Sequence, residues 1–335
     1  MISNARMDEP TPLSAETDEV PTLAQVAAYA GVSPITVSRV VRLPALVAAP
    51  TRERVEAAML ALGYVPNLVA GSLASARTRS VGVLVPTVAN AIFADTIQGI
   101  SDALEPLGYA VFLAQSRYDP DREDKMLAAL LARRPEALIM VGSPATAAGA
   151  RMLRRARIPV VETWDLPDDP IDAVAGFDNT EAGAVVAGHF AACGRQRLGF
   201  LGGDDPRATR RWLGFQRVAL AAGLEAPRRV VHGRSAGAGV AAAVGMRDRD
   251  AVFVANDALA IGLLSGLRQV GRRVPDDVAV VGLGDLETGR LINPALSTVR
   301  IDGETIGRTA AGLTILREGP RRVDLGFELV TRETG

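Results

Sequence analysis

The chain has 335 residues, 48% hydrophobic, 22% charged and 4% aromatic, with a formal net charge of −1. Such a length exceeds one ordinary core and suits two or three globular domains. No apolar run approaches the roughly 20 residues that span a bilayer, and the polar, acidic start MISNARMDEPTPLSAETDEVP has no apolar centre, which excludes a signal peptide.

The near-zero charge hides an asymmetry. Residues 1–21 hold Asp8, Glu9, Glu16, Asp18 and Glu19 against Arg6, an acidic tail expected to be disordered. Residues 22–79 hold Arg39, Arg42, Arg52, Arg54, Arg77 and Arg79 against Glu53 and Glu56. A basic segment suits contact with phosphates, although many solvated helices reach the same charge.

Within TLAQVAAYAGVSPITVSRVVR (22–42), Leu23, Val26, Ala27 and Ala30 fall on one helical face. Gly31 supplies a sharp turn. Ser33 then caps a second helix whose first position is Pro34, where a missing N–H costs nothing. Val37 and either Val40 or Val41 point inward, leaving Pro34, Ile35, Thr36, Ser38, Arg39 and Arg42 outside. A third helix over Thr51–Leu62 carries Val55, Ala58, Met59 and Leu62 at core spacing. Two short helices around a glycine suit a helix-turn-helix, and equally an ordinary helical hairpin.

Residues 67–79, NLVAGSLASARTR, form a segment too short and too glycine-weakened to be a stable helix alone. From Ser80 the apolar runs 81–86, 110–115, 137–142 and 159–164 alternate with helical stretches near 91–107, 121–133 and 146–156. The alternation restarts with 198–203, 251–257 and 278–285, between helices near 180–194, 209–222, 236–246 and 257–271. Continuous apolar strands between helices predict parallel sheets covered on both faces, in two α/β lobes with a ligand cleft at their strand ends.

Several polar loops follow those strands. Thr87, Asn90 and Phe93 follow the first, Trp164 ends another, and Arg207, Arg210 and Arg211 open a helix of the second lobe. Asn256 and Asp257 end one strand and Asp285 follows another. Guanidinium groups suit a carboxylate or a set of hydroxyls, whereas Asn256 and Asp257 also fit as simple helix caps. Cys193, the single cysteine, fits a reducing cytoplasm and is expected to be buried near a helix end. Catalysis is not indicated: His189 and His232 have no matching acid spacing, one Cys and two His cannot build a conventional zinc site, and GLGDLETG lacks a P-loop lysine. No cofactor and no metal are expected.

Residues 22–79, with GYVPN after the third helix, resemble the DNA-binding head of the LacI family of bacterial transcriptional regulators, and the resemblance continues to about Gly326. It implies a disordered tail over 1–21, a helix-turn-helix head over 22–66, a hinge helix over 67–79 and a periplasmic-binding-protein-like core over 80–335. The first lobe is expected over 80–178 and 302–322, the second over 179–301 and 323–335. The resemblance implies a homodimer on a palindromic operator in double-stranded DNA, without membrane contact. Pro34, Ile35 and Arg39, with Arg42, would meet base edges, and Thr22, Ser33, Thr36 and Ser38 would meet phosphates. Asn67 begins the hinge, and Leu73 matches the leucine that wedges into the minor groove. The family commonly has an arginine after that asparagine, where this chain has Leu68.

The same resemblance places the effector among Thr87, Asn90, Phe93, Trp164, Arg207, Arg211, Asn256 and Asp285. Most members carry an Asp within a G-[YF]-[DN] pattern; here Gly282, Leu283 and Gly284 stand there, and the acid is delayed to Asp285. A missing carboxylate beside three arginines favours an anion. IPVVETWD (158–165), VAGFDNTEAG (174–183) and DLGFELV (324–330) are similar to the gluconate-repressor branch, which implies a sugar-acid effector; Glu162 is typical of that branch. The alternatives from the sequence are a solute-binding sugar receptor, a regulator of a neutral-sugar pathway, and an architectural DNA binder. TRETG carries no leucine heptad, so no tetramerising coiled coil is expected.

Overall fold

The computed structural model describes residues 20–66, 78–89, 91–317, 319 and 321–335. The expected contacts Asn67, Leu73 and Asn90, the hinge over 67–77 and the tail through residue 19 lie outside them. The chain divides into two compact units, one ending at Thr78 and the other starting at Arg79.

Among the described residues, the first unit holds three α-helices, α1 (Leu23–Ala30), α2 (Pro34–Arg42) and α3 (Ala49–Ala61). Thr22 caps α1 in a reciprocal box with Gln25, whose Oε1 accepts from the Thr22 N–H at 2.6 Å. Gly31 ends it in the left-handed region at φ +63°. Ser33 caps α2, its Oγ accepting from the Thr36 N–H at 3.2 Å. Val26, Ala27, Ala30, Val37, Val40, Val55 and Ala58 form the core, so Val40 rather than Val41 is the buried residue of that pair. α3 begins two residues ahead of expectation because Pro50 is accommodated in the first turn.

The second unit has two sheets. The first lobe contains β1 (Ser80–Val85), α4 (Ala94–Leu104), β2 (Ala110–Gln115), α5 (Pro120–Ala132), β3 (Ala137–Val141), α6 (Ala147–Ala156), β4 (Val160–Thr163) and β5 (Ala173–Gly176). The second contains α7 (Asn179–Ala192), β6 (Leu198–Gly202), α8 (Pro206–Ala221), β7 (Arg228–Val231), α9 (Ala236–Met246), β8 (Ala251–Val254), α10 (Asp257–Gln269), β9 (Ala279–Leu283), α11 (Glu287–Leu291) and β10 (Ser297–Arg300). The chain then returns to the first lobe through α12 (Gly303–Ala311) and β11 (Arg322–Asp324), and ends in the second with β12 (Glu328–Val330). The strand orders are β11-β5-β4-β3-β1-β2 and β12-β10-β9-β8-β6-β7. All pairings are parallel except that of β12 with β10.

Three chain crossings join the lobes: after β5, after β10 and between β11 and β12. The last lies slightly later than expected. Residues 323 and 324 stay with the first lobe because β11 pairs with β5 through Asp324↔Gly176. β5, β7, β10, β11 and β12 were not expected: unlike β4 and β8, which are equally short, they carry charged, hydroxyl or small residues in place of a run of larger apolar side chains. Cys193 is exposed, against expectation, because α7 stops at Ala192 and the chain turns away at Gly194, φ +77°.

α7 and α8 pack backbone to backbone. A Cβ at Gly214 would lie 1.8 Å from the Thr180 carbonyl oxygen, and one at Gly183 would lie 1.9 Å from that of Arg211. Only glycine permits this approach, and α8 is the helix that carries the cleft arginines. Gly214→Ala is expected to cost about 1–3 kcal/mol, the usual overpacking range, and to lower the urea midpoint of the core. An unchanged midpoint would show that these helices can separate freely.

Candidate functional site

The exposed surface of the head is built by α2. Ile35 is 71% exposed, Pro34, Arg39 and Arg42 are exposed, and Thr36 and Ser38 are half-buried. Arg39 and Arg42 occupy the last turn of α2 and make no ion pair among the described residues. The hydroxyls of Thr22 and Ser33 serve as caps, accepting from the backbone N–H of Gln25 and of Thr36.

The cleft of the second unit is lined by both lobes. Ile92, Phe93, Tyr118 and Trp164 come from the first; Gly203, Asp205, Arg207, Arg211, Arg234, Ala255, Asn256 and Leu283 come from the second. The first lobe thus offers rings and the second offers charge. Phe93 meets Trp164 edge to face, centroids 5.1 Å apart. The Trp164 indole N–H donates to Thr96 Oγ1 at 3.0 Å, which leaves the ring to act as a wall.

Asp205 caps α8, accepting from the Ala208 N–H at 3.1 Å. The first turns of that helix bring Arg207 and Arg211 into the cleft, 8% and 7% exposed. Arg207 lies over the Phe93 ring, 5.5 Å from its centroid. Arg211 Nη1 donates to Asn179 Oδ1, while its buried Nε has no partner among the described residues. Burial lowers the Arg211 pKa to about 10, opposed by the Asp205 charge, so the group stays a cation at neutral pH. Burial pushes Asp205 upward, but Arg207, Arg211 and Arg234 overcome it and hold the carboxyl well below the usual range.

Asn256 is 5% exposed and caps α10, its Oδ1 accepting from the Leu259 N–H at 2.9 Å. The residue also lines the cleft. Both readings of this residue, cap and cleft wall, therefore hold together.

Two expected contacts are corrected. Thr87 does not line the cleft; its hydroxyl accepts from the Ala89 N–H at 3.0 Å within its own loop. Asp285 does not line it either, because its carboxylate, 1% exposed, is consumed by Arg290, Arg300 and Arg332 at 2.8, 2.7 and 2.6 Å. The backbone turns left-handed at Gly284 and Asp285, φ +128° and +55°, and the carboxylate joins a cluster beside the second and third crossings. Arg210 is similarly diverted, to Asp165. Behind this cluster Asp257 is fully buried, and burial raises its pKa to about 6 against hydrogen bonds from Thr298 and the Leu286 N–H.

Residues not singled out beforehand complete the cleft: Tyr118, Asp205, Arg234 and, behind Arg211, Asn179. Asn179 Nδ2 donates to the Trp164 carbonyl oxygen at 2.9 Å and to Asp165 Oδ1 at 3.0 Å, so it links the two lobes. Of these, Asn179 with its partners Trp164 and Asp165 lies in the segments 158–165 and 174–183 singled out from the sequence, whereas Tyr118, Asp205 and Arg234 lie outside them. Glu162 is structural: 1% exposed, it accepts from the Ile171 N–H at 2.7 Å and ties the β4–β5 loop.

Because burial raises Asp285 while the three guanidinium hydrogen bonds lower it further, its native pKa lies below the ordinary value. The stabilisation is therefore present above about pH 4 and is lost as pH falls through the depressed native value. Asp285→Asn should lower core stability by about 1–3 kcal/mol at pH 7, discounted for the exposed arginines. The gap to wild type should shrink in acid, as followed by urea titrations at pH 7 and pH 3.

The sequence profile of bacterial regulatory proteins of the lacI family matches residues 22–67, and that of the periplasmic-binding-protein-like domain matches 187–334. The chain is similar to the HTH-type transcriptional regulator GntR of Pseudomonas aeruginosa, 37% identical over 94% of this chain and 95% of that one. A LacI-family transcriptional regulator from Silicibacter pomeroyi superposes with a TM-score of 0.86 at 33% identity, covering 94% of this chain and 99% of that one. The Lac repressor dimer bound to operator and the anti-inducer ONPF superposes with a TM-score of 0.80 at 29% identity, covering 94% and 99%.

Proposed function

This chain belongs to the LacI family of bacterial regulatory proteins, as a DNA-binding transcriptional regulator, and we propose that it is a repressor whose operator affinity is set by a sugar acid bound between the two lobes. The observation that carries the effector class is the charge of the cleft. Three guanidinium groups, of Arg207, Arg211 and Arg234, line it with a single carboxylate, Asp205, which already accepts from Arg234 at 2.9 Å. A buried Arg211 Nε without a partner calls for an acceptor. A carboxylate with hydroxyls satisfies these donors, and Phe93 and Trp164 pack its carbon chain.

A neutral sugar fits less well, because the nearby acid Asp285 is spent on three arginines. A plain solute receptor would have no use for the helix-turn-helix head. On DNA, Pro34, Ile35, Arg39 and Arg42 reach base edges, while Thr22, Ser33, Thr36 and Ser38 hold phosphates. A twofold homodimer reads a palindromic operator in the bacterial cytoplasm. The effector acts by its differential affinity for two lobe arrangements, and release from DNA is the expected direction.

Thermal shift against gluconate, 2-ketogluconate, 6-phosphogluconate and neutral sugars tests the class, since only a ligand that prefers the native state stabilises it. Stabilisation by acids alone is expected; stabilisation by neutral sugars alone overturns the reading. Arg211→Ala should keep operator binding in anisotropy titrations while losing at least tenfold in response to the acid that stabilises wild type, on the order of one charge-assisted hydrogen bond. Arg39→Ala should abolish the preference for operator over random DNA. An Arg39→Ala protein with undiminished preference would refute the proposed docking.

A further inference from the structure

Tyr118 and Arg234 face each other from opposite lobes. Tyr118 follows β2 and Arg234 follows β7, and the Arg234 guanidinium lies 3.6 Å above the Tyr118 ring centroid. Both are wall residues of the cleft. The geometry is enforced from each side.

On the first lobe, Arg117 and Tyr118 are consecutive non-glycine residues in the left-handed region, φ +58° and +60°. Such a pair is strained and persists where surrounding structure demands it. The Arg117 N–H donates to the Pro86 carbonyl oxygen at 2.7 Å, and Asp119 caps α5 just beyond, so the turn is clamped at both ends. On the second lobe, Arg234 Nη2 donates to Asp205 Oδ2 at 2.9 Å. Gly203 makes room for it, since a Cβ there would lie 2.3 Å from Arg234 Nη2.

The cleft that the pair helps to line has about 30 Å³ free. Small-molecule sites usually offer roughly 300 Å³ or more, so a sugar acid passes in or out only when the lobes part. Parting them separates Tyr118 from Arg234. The second arginine–ring contact across the cleft, Arg207 on Phe93, is longer at 5.5 Å, and its arginine, on the first turn of α8, is more buried than Arg234.

We propose that Tyr118 and Arg234 form a gate across the effector cleft, whose cation–π contact holds the lobes together and must break for an effector to pass. Asp205 is its anchor: it fixes Arg234 in register with the ring and shares the same carboxylate with the cap of α8. Opening of the gate and the position of Arg207 and Arg211 are thereby tied through one residue. The inference rests on reading this cleft as the effector site.

The test uses the full chain with Trp212→Phe, which leaves Trp164, 3% exposed in the cleft wall, as the one tryptophan. Acrylamide quenching without added ligand reads the opening directly. Tyr118→Ala should raise the quenching constant about threefold to tenfold, the population shift expected for losing one cation–π contact. Tyr118→Phe, which keeps the ring, should quench as the parent does. Arg234→Gln should match Tyr118→Ala, and the double variant should add little, because both changes remove one contact. Quenching in Tyr118→Ala and Arg234→Gln equal to the parent overturns the gate. In stopped-flow mixing with D-gluconate, the two single variants should bind and release faster than the parent. Raised quenching with no gluconate signal from any protein would keep the gate and sink gluconate as the effector.

Discussion

Two guanidinium groups buried at the end of one helix are the constraint around which the core is arranged. Arg207 and Arg211 are each less than 10% exposed, and an unpaired buried cation is costly. The fold surrounds them accordingly: Asp205 supplies charge, Asn179 supplies an acceptor, and Phe93 supplies a ring face. Their placement requires α8 to lie against α7 closely enough that only glycine fits at 183 and 214. A stretch of small residues thus sets the position of the charges.

The two lobes are built on the same strand order, and each contributes its strand ends to the cleft. Their contributions differ in kind. The first lobe brings Phe93, Tyr118 and Trp164; the second brings Asp205, Arg207, Arg211 and Arg234. Rings and charges therefore meet only where the two lobes face each other. The Asp285 cluster stands outside that surface, gathering arginines from α11, from the end of β10 and from the segment after β12. Arg300 ends β10 at the second crossing, so Asp285 braces the frame of the second lobe.

Much of this was legible in the residues. The head follows from local rules: a capping Thr22, a left-handed Gly31, a capping Ser33 before Pro34, and valines at helical spacing. The long apolar runs marked seven strands at nearly their observed places, and the arginines of α8 were visible as a cluster opening a helix. The strands that escaped are short and carry charged, hydroxyl or small residues instead of an apolar run, and Arg234 escaped with them, since it follows one of these, β7. Asp285 misled because its place just past the strand end suggested a delayed cleft residue, whereas Arg290, Arg300 and, from 47 residues away, Arg332 converge on it.

The sequence by itself therefore determined the helix-turn-helix, the two parallel α/β lobes and the cationic character of the cleft, because caps, turns and apolar periodicity act over a few neighbouring residues. Only the tertiary structure decided which charges remain free for a ligand. That choice depends on partners brought together from 20 to 50 residues away, as Arg332 is to Asp285 and Arg234 to Asp205. A carboxylate has a fixed number of lone pairs, and the first guanidiniums to reach it in space remove it from the site.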